Sequence, residues 1–175
     1  KGAVAVLQEK KVKVAPVGPA APKGGGIRFP ITGGVVNSET LAGSIAHSGG
    51  LKLSVGGETL VVTNFVANTK AGVLTATAGA AEIPLLALDF TGLKKSTKGG
   101  AIVASGITTT LTDYAASAMN GILGVTFFEE GLAAARASGR AVFEPIALRT
   151  RAPCRSRTAT TRHGPRFWYF WPSGW

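Results

Sequence analysis

Between residues 27 and 110, glycine pairs at 33–34, 49–50, 56–57 and 99–100 cut the chain into short runs. Within the runs, apolar and polar positions alternate. "IRFPI" sets Ile27, Phe29 and Ile31 on one face, and "LKLSV" does the same with Leu51, Leu53 and Val55. Side chains of a strand point to opposite faces in turn, so this period builds half-buried strands. Glycine accepts positive φ, so Gly56-Gly57 reads as a tight hairpin turn, and "HSGG" also reads as a turn between two strands. Short strands at this spacing predict an all-β fold, an antiparallel β-sandwich. Pro30 and Pro84 belong at sheet edges or bulges, because proline cannot donate to a ladder. The pairs are unevenly spaced, so they mark turns and not a sequence repeat.

The sandwich is expected to carry one or two short helices near residues 112–137. In "LTDYAASAMNGILG", Leu111, Ala115, Ala118 or Met119, and Ile122 fall on one face at helical spacing. Thr112 suits the N-cap and Asp113 the positive end of the helix dipole. Gly121 or Gly124 would end it. A second short helix is expected at Leu132–Ala137, before a last strand in "RAVFEP".

Composition sets the class. The chain has 175 residues, 45% hydrophobic and 16% charged. That length suits one domain with tails, and the low charge argues against global disorder. The single cysteine, Cys154, has no internal disulfide partner. No apolar run reaches the roughly 18 residues of a membrane helix. A chain that starts at Lys1 fits either removal of a signal peptide or an artificial boundary.

The net charge of +10 is unevenly placed. Residues 1–145 hold 13 basic and 9 acidic residues, and residues 146–175 hold six arginines and no acid. The basicity therefore belongs mostly to the tail, and a domain-wide nucleic-acid surface loses its support. Three segments follow. Residues 1–26 read as a leader, with a short helix or strand around Val4–Lys11, a strand in "KVKVAPV", and a Pro/Gly-rich linker. Residues 27–145 form the β domain. Residues 146–175, with all three tryptophans in the last eight positions, lack a period. They read as a disordered or out-of-frame tail. The sharper alternative is an interfacial anchor for anionic membranes or polymers.

Motifs for catalysis are thin. Of two histidines, His163 lies in the tail and His47 in the patterned region. Glu129 and Glu130 are adjacent, so an extended backbone points them apart. "KGGGIRF" leads into a strand pattern, whereas a phosphate cradle leads into a helix. The expectation is that the chain is not an enzyme. Lys94, Lys95 and Lys98 in "GLKKSTKGG" are candidate contacts for an anionic partner, weighed against a solvated loop. Phe29, Phe65 and Phe90 sit on apolar strand phases and read as core. His47 shares its phase with Leu41, Gly43 and Ile45, which places it at the sandwich rim. There it either bonds a turn carbonyl or lines a ligand pocket.

The stretch "GSIAHSGGLKLSVGGETLVVTNFVANTKAGVLTATAG" (43–79), followed by "IPLLALDFTG" and "TTTLTDYAASAMNGILG", resembles the HtaA-like, or haem-transport-associated, domain of actinobacterial surface proteins. The resemblance covers roughly residues 27–145. It implies a secreted or wall-attached binding module, with haem as cofactor held by a tyrosine on the iron and a supporting histidine. His47 matches the histidine. The tyrosine of the pattern precedes residue 27, where this chain has neither Tyr nor Trp. Tyr114, on the predicted helix, is the tyrosine left in the domain. The implied partners are haem or another apolar small molecule, and cell-wall or surface proteins. A purely structural or adhesive surface domain is the alternative.

Overall fold

The computed structural model describes residues 3–24, 26–98, 101–142 and 166–171. Readings that fall on 143–165, including Cys154 and His163, lie outside the described residues. Helix α1 (Ala3–Glu9) is followed by β1 (Lys13–Val17), β2 (Ala21–Lys23), β3 (Gly26–Val36), β4 (Gly43–His47), β5 (Gly50–Val55) and β6 (Glu58–Asn68). Then come β7 (Val73–Ala78), β8 (Ala81–Asp89), β9 (Lys94–Lys98), β10 (Ala101–Leu111), helix α2 (Asp113–Leu123), β11 (Ala133–Val142) and β12 (Arg166–Trp171). The fold is all-β with two short helices, as the alternation requires.

Every strand pairing is antiparallel, in the order β1-β5-β6-β4-β3-β12-β11-β10-β8-β7. A further β6–β7 pairing joins the far end back to β6, so the sandwich closes on itself. Strands β1, β2, β5 and β9 stand outside the closed ring. Two apolar clusters line the interior. The larger holds Phe29, Leu53, Val62, Phe65, Leu74 and the inner face of α2. The smaller gathers Ile45, Ala104, Ile107 and Ala137.

The glycine pairs divide into two uses. Gly56 and Gly57 both take positive φ (61° and 97°) and turn β5 directly into β6, with Val55 opposite Glu58. The "HSGG" pair does something else. β4 and β5 both pair with β6, β4 against Ala67 and its neighbours and β5 against Glu58–Thr63. They are one long strand, broken by a kink at Ser48-Gly49, and no reversal occurs there. Gly49 has φ +93°, and a Cβ there would lie 2.7 Å from Ala20 Cβ. The same device recurs: β8 and β9 share one edge of β10, with the break opposite Gly106. Proline sits where the ladder breaks: Pro84 borders the bulge at which β7 and β8 shift register.

The helix of residues 112–124 has the expected ends. Thr112 Oγ1 accepts from Ala115 N at 3.2 Å, and Gly124 closes the helix in the left-handed region. The buried stripe is Ala115, Ala116, Met119 and Leu123. Ile122, expected inside, is exposed, because the helix presents its 115–119–123 line to β6 and β8. Thr112 Oγ1 also donates to Pro84 O, which ties the helix start to β8. Thr112→Ala removes both bonds. The expected cost is about 1–2 kcal/mol, read as a melting temperature lower by roughly 2–8 °C.

Two elements depart from expectation. Leu132–Ala137 is no helix: Ala133–Val142 form β11, paired along nearly all of β10. Alanine's helix propensity is a weak preference, and a long open edge of β10 overrides it. Residues 166–171, read as part of an unpatterned tail, form β12 between β11 and β3. "RFWYFW" is continuous aromatic sequence without alternation, yet aromatics favour strands. The leader contributes α1 against β11 and β1 against β5.

Candidate functional site

The interior is not filled. A cavity of about 420 Å³ opens between α1, the sheet and α2. Its floor is formed by Phe65 and Val62 of β6, Leu74 of β7, Leu85 of β8 and Met119 of α2. Its rim is formed by Leu7 and Gln8 of α1, Val14 of β1, Ile27 of β3 and Leu132. Strand alternation produces this directly, since Leu53, Val62, Phe65 and Leu74 are the inward phases of their strands. Phe29 and Phe65 meet edge to face, with ring centroids 4.9 Å apart at 77°. Gln8 brings the one hydrogen-bonding side chain among the described lining residues.

His47 lies deeper than the rim. It is 3% exposed, and its Nδ1 stands 3.3 Å from Phe65 O, a geometry in which the ring N–H donates. The kink explains the bond. Ala46 pairs with Val66 and Gly50 with Thr63, so the stretch around Phe65 has no ladder partner there. Asn64, with φ +52°, marks the same bulge on β6. His47 therefore supplies to the Phe65 carbonyl the hydrogen bond that the broken ladder does not. Burial pushes its pKa down to about 4, against a smaller upward pull from the Phe65 carbonyl, so the ring is neutral at pH 7.

The other sequence candidates are dispersed. Tyr114, on α2, is 57% exposed and away from the cavity lining. Lys94, Lys95 and Lys98 lie on β9 and are exposed. Lys95 Nζ donates to Ser38 O (2.5 Å) and Glu39 O (3.0 Å), which ties β9 to the β3–β4 loop. His47, Tyr114 and the lysines are not brought together. Among the described residues no three of His, Cys, Asp and Glu are placed to hold a metal ion. No described helix is long and apolar enough to cross a membrane.

No family model matches the chain, and no curated protein matches it. One solved structure does. It is the C-terminal domain of HtaA from Corynebacterium glutamicum, in a domain-swapped dimeric histidine-to-alanine variant. The match covers 82% of this chain and 94% of that one, with a TM-score of 0.57 at 16% identity. The chain has the fold of an HtaA domain. This fold agrees with the HtaA-like fold that the resemblance implies. At that identity the likeness speaks for the backbone and not for the ligand.

The cavity itself escaped the sequence. Phe29 and Phe65 read correctly as core residues. Nothing in local pattern says whether inward residues meet each other or leave a gap, since that depends on how α1 and the 124–132 connection sit over the sheet.

Proposed function

We propose that the chain is a non-enzymatic binding module of a secreted or cell-wall-associated protein, and that it takes an apolar ligand in the cavity beneath α1 and α2. The observation that carries this reading is the cavity: about 420 Å³ inside an otherwise closed fold, lined by aliphatic and phenyl side chains. Ligand pockets of this size, apolar with few polar groups, bind by excluding water from hydrocarbon surface. The extracellular setting rests on the HtaA-like fold and the family resemblance.

Haem is the ligand that the resemblance implies, and the residues present do not fit an iron-ligated haem. The described lining holds no imidazole, phenol or thiolate, and its one sulfur is the Met119 thioether. His47, the matching histidine, has a ring nitrogen on the Phe65 carbonyl, and Tyr114 faces solvent. No cationic side chain is among the described lining residues.

Titration with an environment-sensitive apolar dye is expected to give saturable fluorescence enhancement at one site per chain. Titration with haemin is expected to give no Soret shift that depends on His47. A sharp shift lost in His47→Ala would replace the apolar reading with haem ligation. Absence of dye binding would leave a purely structural or adhesive surface domain.

A further inference from the structure

A ligand held in the cavity has to cross its wall, and the segment after α2 is a single layer of that wall. Phe128 lines the cavity and is 5% exposed, whereas Thr126, Glu129 and Glu130 on either side of it are exposed. One stretch of backbone thus separates the cavity from water there. It runs irregularly from Gly124 to Gly131, and both glycines take positive φ, 62° and 75°. Glycine adopts that region as readily as the ordinary one, so both ends of the segment can change direction without side-chain strain.

One side chain pins this segment. Asn120 Nδ2 donates to Phe128 O at 2.9 Å, and Phe128 N donates to Asn120 Oδ1 at 3.0 Å. The carboxamide pairs with the Phe128 main chain as a neighbouring strand would. Over residues 126–128 these two are the hydrogen bonds to the rest of the protein among the described residues. The flanks are fixed by main chain instead: Gly124 N and Val125 N donate to Asn120 O, and Gly131 N donates to Leu111 O at 2.9 Å. The segment is therefore anchored at both ends and held in the middle by the half-buried Asn120 and by burial of the Phe128 ring. Opening it breaks two side-chain bonds and undoes no strand ladder. Such units open locally, at a free energy below that of global unfolding.

We propose that residues 125–130 are a hinged strap across the cavity, latched by the Asn120 carboxamide, and that an apolar ligand enters and leaves where Phe128 swings out. This rests on the binding-module reading and adds the route to it. Returning the Phe128 ring to the apolar interior favours the closed strap. The latch is made with the cavity empty or filled, so Asn120 is a positioning residue that sets the speed of exchange and not the affinity.

Stopped-flow mixing of the full 175-residue chain with Nile red gives the binding rate, and trapping released dye in excess cyclodextrin gives the release rate. Asn120→Ala is expected to raise both rates about tenfold, the scale of two ordinary hydrogen bonds, and to leave their ratio within about twofold. A purely structural role for Asn120 would lower the affinity or the melting temperature without speeding binding, and that result overturns the proposal. If Asn120→Ala no longer melts cooperatively, Gly131→Ala carries the test: a Cβ there meets no neighbour within 4 Å but strains the latched φ, so both rates rise again. Amide hydrogen exchange tests the strap without a ligand. The Phe128 N–H is expected to exchange at least about tenfold faster than the ladder amides of β6. Equal exchange would mean that the strap opens only with the whole fold, which also overturns the proposal. If Nile red binds at rates indifferent to Asn120 and Gly131, the cavity stands and the route falls. If it does not bind, the binding-module reading falls and the route with it.

Discussion

Replacing Phe65 by alanine is expected to lower the free energy of unfolding by about 3 kcal/mol. Phe65 is 3% exposed and packs its ring edge to face on Phe29 in the larger core. Loss of a buried phenyl ring removes its transfer free energy and the aromatic contact and leaves space behind, for a typical cost of about 3–5 kcal/mol. The lower end applies here, because one side of the ring already faces the cavity and has fewer contacts to lose. For a chain of this length the change corresponds to a melting temperature lower by roughly 6–12 °C. Val61→Ala is the control on the same strand. Val61 points outward and is exposed, so about 0.5 kcal/mol or less is expected. Calorimetric melts of the two variants decide it. Equal losses would mean that Phe65 is not a core residue.

The second large effect is a loss of stability in mild acid, carried by His47. Its folded-state pKa is about 4 against an ordinary 6.5. Between those values the unfolded chain binds a proton that the folded chain excludes. Stability therefore rises with pH across the window from about 4 to 6.5 and is fully present above it. The difference amounts to about 3 kcal/mol, and the near-complete burial of the ring means little solvent screening to discount. Urea unfolding at pH 4, 5, 6 and 7 measures it. His47→Gln keeps a donor for the Phe65 carbonyl without a titrating ring, so its stability is expected to be flat over the same window. An unchanged slope in that variant would remove His47 as the cause. Asp89, held below the usual carboxylate range by the Thr91 hydroxyl and backbone N–H, titrates at lower pH. It does not blur the reading.

Much of the fold was legible because strand phase survives folding. Leu53, Ile45 and Phe29 were assigned inward from alternation alone, and all three are buried. The Thr112 cap was legible for a similar reason, and Gly124 was one of two glycines that could end the helix: capping is local hydrogen-bond chemistry written in the sequence. What failed depended on distant partners. "LAAARA" became β11 because β10 offered it an open edge. "HSGG" became a kink because both flanking strands found the same partner, β6. His47 follows from that kink. The sequence placed it on the right phase, but only the gap in the β6 ladder shows what its ring bonds to. The contacts of Lys95 with the carbonyls of Ser38 and Glu39 were likewise not legible, because they join residues 56 and 57 positions apart.

The pairing of β1 with β5 bears on how the chain behaves outside its native context. β5, "GLKLSV", alternates apolar residues along a strand whose outer edge would otherwise present open amides and carbonyls. Residues 13–17 occupy that edge. An uncovered alternating strand is a template for a second chain. A version beginning at Ile27 would keep most of the closed ring and lose this cover, and its first failure would be strand addition between molecules in concentrated solution. The lysine-rich β9 guards the edge beside β10 by charge. The edge of β5 is guarded by a covering strand, and that strand lies in the stretch most easily trimmed as a leader.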